Sequence, residues 1–104
     1  MAHPEYVFLT RAAERLRGLL FCEPDEKVRV FVPCAAVHTV GMRYALDVAF
    51  LDGEGNVLAS YRKVGKHRSL RCAHARMTLE RFADDRPWFA PGERVSLELI
   101  SDGC

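Results

Sequence analysis

Two cysteines and two histidines fall in short pairs, Cys34-x3-His38 and Cys72-x-His74. Two thiolates with two imidazoles make a four-donor set of the kind that binds zinc tetrahedrally. The spacing speaks against that site, because structural zinc usually draws its ligands in pairs from tight knuckles. A second chemistry is a cysteine nucleophile beside His38 or His74, since a neighbouring imidazole lowers a thiol pKa and supplies a base. A third is a Cys34–Cys72 disulfide. Against all three stands the plain reading of Cys34 and Cys72 as small buried hydrophobes. The plain reading carries the most weight, and the others stay open.

Asp47 lies between Leu46 and Val48, with Phe50 close behind. Pointing outward, it is an ordinary solvated strand residue. Pointing inward, its charge has to be paired or hydrogen-bonded, and Arg43 and His38 are the nearest candidates. The segment 37–42 separates two strand-like stretches, a place where sites are often built. There His38 and Thr39 can exchange hydrogen bonds with a ligand, and Met42 adapts to apolar surfaces. The competing reading has His38 and Thr39 satisfying backbone groups while Met42 fills core.

Residues 61–79 hold Arg62, Lys63, Lys66, Arg68, Arg71 and Arg76 and no acid, with His67 and His74 among them. The whole chain is nearly neutral, +1 from 15 basic and 14 acidic residues, so its charge is polarised rather than excessive. A balanced total gives no global pull toward nucleic acid or anionic membrane. Tyr61 is a possible stacking ring, but the interleaved aromatics of single-strand binders are missing. Arg62, Lys63, Lys66 and Arg68 are therefore expected to meet a protein or a small ligand.

No glycine-rich phosphate loop, nucleophile elbow or pair of metal-binding histidines on a helix occurs. That absence leans away from common enzyme classes, and no cofactor is called for. At 104 residues, 49% hydrophobic and 28% charged, the chain suits one folded domain over residues 1–104. No apolar run approaches the roughly 20 residues that span a bilayer. The first ten residues do not read as a secretory signal. A cytoplasmic monomer with reduced thiols is expected.

The elements that must position these groups follow from periodicity. Tyr6-Val7-Phe8-Leu9 is apolar and β-prone. Thr10 can cap a helix over residues 11–20, where Ala12, Ala13, Leu16, Leu19 and Leu20 recur at helical spacing. Residues 27–32 alternate as a half-buried strand, and Pro33 ends it or places it at an edge. Residues 45–51 and 57–61 flank the turn-forming Asp52-Gly53-Glu54-Gly55-Asn56 and predict a hairpin. Residues 73–82 fit a helix or a short strand, and residues 94–100 alternate as a last strand. The predicted class is α+β: mostly antiparallel β, a small barrel-like or sandwich core, and one N-terminal helix.

Several blocks in order resemble the domain-of-unknown-function 192 family: Ala12 with Arg17-Gly18-Leu19-Leu20, then 33–42 (Pro-Cys-Ala-Ala-Val-His-Thr-Val-Gly-Met) and 46–52 (Leu-Asp-Val-Ala-Phe-Leu-Asp). They continue with Gly55-Asn56-Val57, Cys72-Ala73-His74-Ala75, Leu79-Glu80 and 91–95 (Pro-Gly-Glu-Arg-Val), so the likeness spans residues 11–97. Arg81-Phe82 stands where the family more often has a small, glycine-containing segment. The resemblance implies a small β-rich bacterial domain, with no enzymatic activity, cofactor or catalytic residue to carry over. It also implies an occasional association with pilus or secretion genes. The expected function is a non-enzymatic binding or assembly-accessory domain. The alternative is a small-molecule or metal-dependent enzyme using Cys34, His38, Asp47, Cys72 and His74.

Overall fold

Leu46-Asp47-Val48-Ala49-Phe50-Leu51 form a strand in which all six residues are buried. An apolar run covered on both sides is what a central strand requires, since successive side chains point to opposite faces. The computed structural model describes residues 6–9, 23–32, 35–39 and 41–96. Within them the strands are β1 (Tyr6–Leu9), β2 (Val28–Phe31), β3 (Ala36–His38), β4 (Leu46–Leu51), β5 (Val57–Val64), β6 (Ser69–Arg71) and β7 (Met77–Phe82). Five of them make one sheet in the order β1-β2-β7-β4-β5, and β3 pairs with β6 in a separate ribbon.

The predicted α+β class with a mostly antiparallel sheet is thereby corrected. The described residues are all-β, and the five-stranded sheet is mixed, because β1 runs parallel to β2 while the other pairings are antiparallel. Parallel neighbours cannot be joined by a tight turn and need a crossover of about a dozen residues or more. Alternation within each strand carries no sign of direction, so that pairing was not legible. The helix expected over residues 11–20 lies outside the described residues. Residues 77–82, which fitted either a helix or a strand, are β7, buried at all six positions.

Register assigns the two faces of the sheet. Leu46, Val48 and Phe50 share one face with Phe82 and Val64, and pack with Met42, Leu70 and Ala75. That face lies under the β3–β6 ribbon, whose Val37 and Leu70 point inward. Ala49 and Leu51 point the other way, into a second cluster with Val28, Val30, Val57, Met77, Leu79 and Val95. Trp88 and Phe89 pack against this cluster from the loop after β7. Each fully buried side chain of this size contributes about 1.5–3 kcal/mol, so the two layers together hold the fold.

The β4–β5 hairpin forms as its turn chemistry predicts. Asp52 accepts backbone N–H bonds from Glu54 and Asn56 at 2.9 and 3.0 Å, and Gly55 supplies a left-handed backbone at φ 90°. The far end of the hairpin carries a bulge. Leu46 faces Val64 and Val48 faces Tyr61, so Asp47 alone stands opposite both Arg62 and Lys63.

Candidate functional site

The ribbon and the turn before it carry Lys66, Arg68 and Arg71 of the basic segment. In its register Ala36 faces Arg71, Val37 faces Leu70 and His38 faces Ser69. Val37 and Leu70 point to the core, so Ala36, His38, Ser69 and Arg71 form the outer face, and all four are exposed. His38 and Arg71 are diagonal neighbours on that face, about 7–8 Å apart by strand geometry, with two small residues between the strands beside them.

Thr39 follows β3 and is almost wholly buried. Its hydroxyl donates to the Gly65 carbonyl at 2.6 Å and accepts from the Arg68 N–H at 2.8 Å. Its own N–H donates to the Arg68 carbonyl at 2.8 Å. These bonds clamp the turn 65–68, in which His67 takes a left-handed φ of 59°. Lys66, His67 and Arg68 are exposed on this held turn. The expected contact role of Thr39 is thus replaced by a structural one, and Met42, 6% exposed, is core rather than ligand surface.

Arg62 and Lys63 belong to a different neighbourhood. Asp47 is wholly buried and points to the face away from the ribbon. One carboxylate oxygen accepts the Lys63 N–H at 2.9 Å, which the bulge takes out of the ladder. The other accepts from Arg81 Nε at 2.9 Å, and Arg62 Nε lies 3.5 Å from the first oxygen. The expected partners Arg43 and His38 are elsewhere: Arg43 lies 3.5 Å from Glu23 at the surface, and His38 is on the ribbon.

Arg81 then ties down the loop after β7. It donates to the carbonyls of Arg86 and Pro87 at 2.7 and 3.2 Å and lies 4.6 Å above the Trp88 ring. Arg62 donates to the carbonyls of Asp84 and Arg86 at 2.7 and 2.9 Å. Asp84 is held below the usual carboxylate range, chiefly by hydrogen bonds from the Arg86 side chain. Every charged group in this network already has a partner, so it serves as a clamp.

The five residues proposed for metal or nucleophilic chemistry do not converge where they are described. Cys72 is half-buried against the core cluster on the ribbon side, and its thiol lies 3.6 Å from the Ala73 carbonyl. His38 and His74 are exposed, His74 in a turn with φ 70°. The sheet separates all three from Asp47. Cys34 lies outside the described residues. Among the described residues no group of three or more His, Cys, Asp or Glu side chains can hold a metal ion.

Glu80 is a buried acid that sequence reasoning passed over. It sits on central β7, on the ribbon-side face, opposite Val48 on one side and Arg29 on the other. Burial pushes its carboxyl up to about 7, with the Arg29 charge pulling weakly the other way. The Arg29 guanidinium is turned instead to Asp25, at 2.6 and 2.8 Å. The available signal was two adjacent charges, Glu80 and Arg81, inside the apolar frame Met77, Leu79 and Phe82.

The sequence matches no protein-family model and no curated protein. Solved structures do share the fold. A protein of unknown function from Novosphingobium aromaticivorans DSM 12444 is similar with a TM-score of 0.67 and 20% identity, over 77% of this chain and 64% of that one. A candidate transcription regulator from Sinorhizobium meliloti 1021 is similar with a TM-score of 0.67 and 14% identity, over 75% of this chain and 67% of that one. The chain thus spans a little under two thirds of the first of these proteins. At such identities the likeness establishes a shared fold: this is a small β-rich domain. No helix among the described residues is long and apolar enough to cross a membrane.

Proposed function

We propose that this is a non-enzymatic binding domain of the domain-of-unknown-function 192 type that docks a protein partner through the outer face of the β3–β6 ribbon and the turn 65–68. One observation carries the reading. Lys66, Arg68 and Arg71 are exposed and have no ion-pair partner among the described residues, whereas Arg29, Arg62, Lys63, Arg81 and Arg86 each have a carboxylate within 4.0 Å. Unpaired cations on a rigid scaffold favour an oppositely charged partner and speed its encounter. The paired cations already meet carboxylates of this chain. An assembly role beside pilus or secretion components is one setting for such a domain.

Titration of the isotope-labelled protein with poly-glutamate, followed by backbone amide shifts, tests this. Changes are expected at residues 36–39 and 65–71 and should fade as salt rises toward a Debye length of about 8 Å. Shifts that cluster instead around Asp47 and Arg81, or no shifts at all, would overturn the assignment.

A further inference from the structure

We propose that the occupant of the ribbon face is an extended protein segment with acidic side chains at alternate positions. The inference rests on reading that face as the docking surface and adds the form of what docks there. Ser69 and Arg71 point the same way from one strand, two residues apart, and His38 stands across from Ser69. The outer face therefore offers its polar groups at the two-residue repeat of a β-strand, roughly 6.5–7 Å. An extended peptide laid over it presents every second side chain downward at the same repeat. Carboxylates in a Glu-x-Glu pattern, laid obliquely over the ribbon, span the diagonal of about 7–8 Å from Arg71 to His38, while a helical or clustered pattern does not.

Two further features fit that occupant. Ala36 and Ser69 are small, so a peptide backbone can approach the ribbon between the larger side chains. Just before β6 begins, Lys66 and Arg68 are exposed on the turn that Thr39 clamps, and they extend the positive charge past the ribbon. Preorganised groups lose less entropy on binding. The face carries no Phe, Tyr or Trp ring for nucleic-acid bases to stack on. The exposed aromatics Tyr44 and Tyr61 lie outside the ribbon and are spent edge-on against Phe82 and Phe50.

The test compares two fluorescent peptides of equal length and charge, each of about eight residues so as to overrun the ribbon. One alternates Glu and Thr, and the other carries its Glu residues in a block. Single-stranded DNA of the same charge is the third ligand. The alternating peptide is expected to bind about fivefold tighter than the block peptide, the scale of one exposed ion pair gained or lost. Arg71→Glu should remove that preference, and Arg43→Glu, outside the paired residues of the ribbon, should leave it intact. Equal affinities for the two peptides, with amide shifts still on the ribbon, would sink the extended-segment proposal and spare the docking surface. Tighter binding of the DNA would overturn the choice of a protein occupant. Absence of ribbon shifts with every ligand would sink both readings.

Discussion

Glu80 illustrates how far one side chain can depart from its surroundings. It is 7% exposed on a central strand, and its nearest cross-strand cation is bonded to Asp25. Its carboxyl is raised from 4.5 to about 7 in the fold. The folded state therefore binds the proton more tightly than the unfolded chain, and this group favours folding below about pH 4.5. Between pH 4.5 and about 7 that advantage is lost, a change on the order of 3 kcal/mol at 1.36 kcal/mol per unit. Glu80→Gln, which never ionises, should be the more stable protein at pH 8, with the difference closing as pH falls through this window. Urea midpoints across pH 4–8 check it, and a constant difference would contradict it.

At the scale of an element, the bulge in β5 determines where charge can be buried. Two residues opposite one leave the Lys63 N–H outside the ladder, and Asp47 accepts it. Lys63 pays for the geometry with a φ of 53°, a region costing a side-chain-bearing residue about 1–2 kcal/mol. Lys63→Val, branched at Cβ, should lower stability by about that amount or more. Lys63→Gly should leave it unchanged or raise it slightly, because glycine accepts the conformation and the exposed Lys63–Asp85 pair at 3.4 Å contributes little. Thermal midpoints of the two variants separate these outcomes. The ribbon is stiffened by the same kind of device, a buried Thr39 hydroxyl bonding the backbone of a turn that a sequence pattern shows only as a basic stretch.

Among the described residues, buried Arg81 and the exposed cations Lys66, Arg68 and Arg71 do different work. Arg81 is buried in contact with Asp47 and the 84–88 loop, and removing it as Arg81→Ala strands a buried carboxylate, costing about 3–5 kcal/mol. Changing Lys66, Arg68 and Arg71 together to Glu should shift stability by no more than about 0.5 kcal/mol per site, because they touch no charged group among the described residues. Urea denaturation of the two variants checks the contrast, and a large loss from the ribbon triple would assign those cations to the fold. This division was invisible in the sequence, where Arg62, Lys63, Lys66 and Arg68 form one basic run.

By itself the sequence determined the local pieces. Alternation marked β2, the apolar run 46–51 marked a strand, and Asp52-Gly53-Glu54-Gly55-Asn56 marked the hairpin turn, because side-chain period and turn chemistry act over a few residues, while residues 73–82 fitted a helix as well as the strand β7. The concentration of cations at 62–71, without an acid among them, was equally plain. Only the tertiary structure decided that β1 pairs parallel with β2, that Asp47 meets Arg81 rather than Arg43 or His38, and that Arg62 is bonded to a loop while Arg71 is exposed with no ion pair among the described residues. Those outcomes depend on strand order, register and one bulged residue. A single slip of register turns every side chain to the opposite face, and no local pattern records which slip the folded chain adopts.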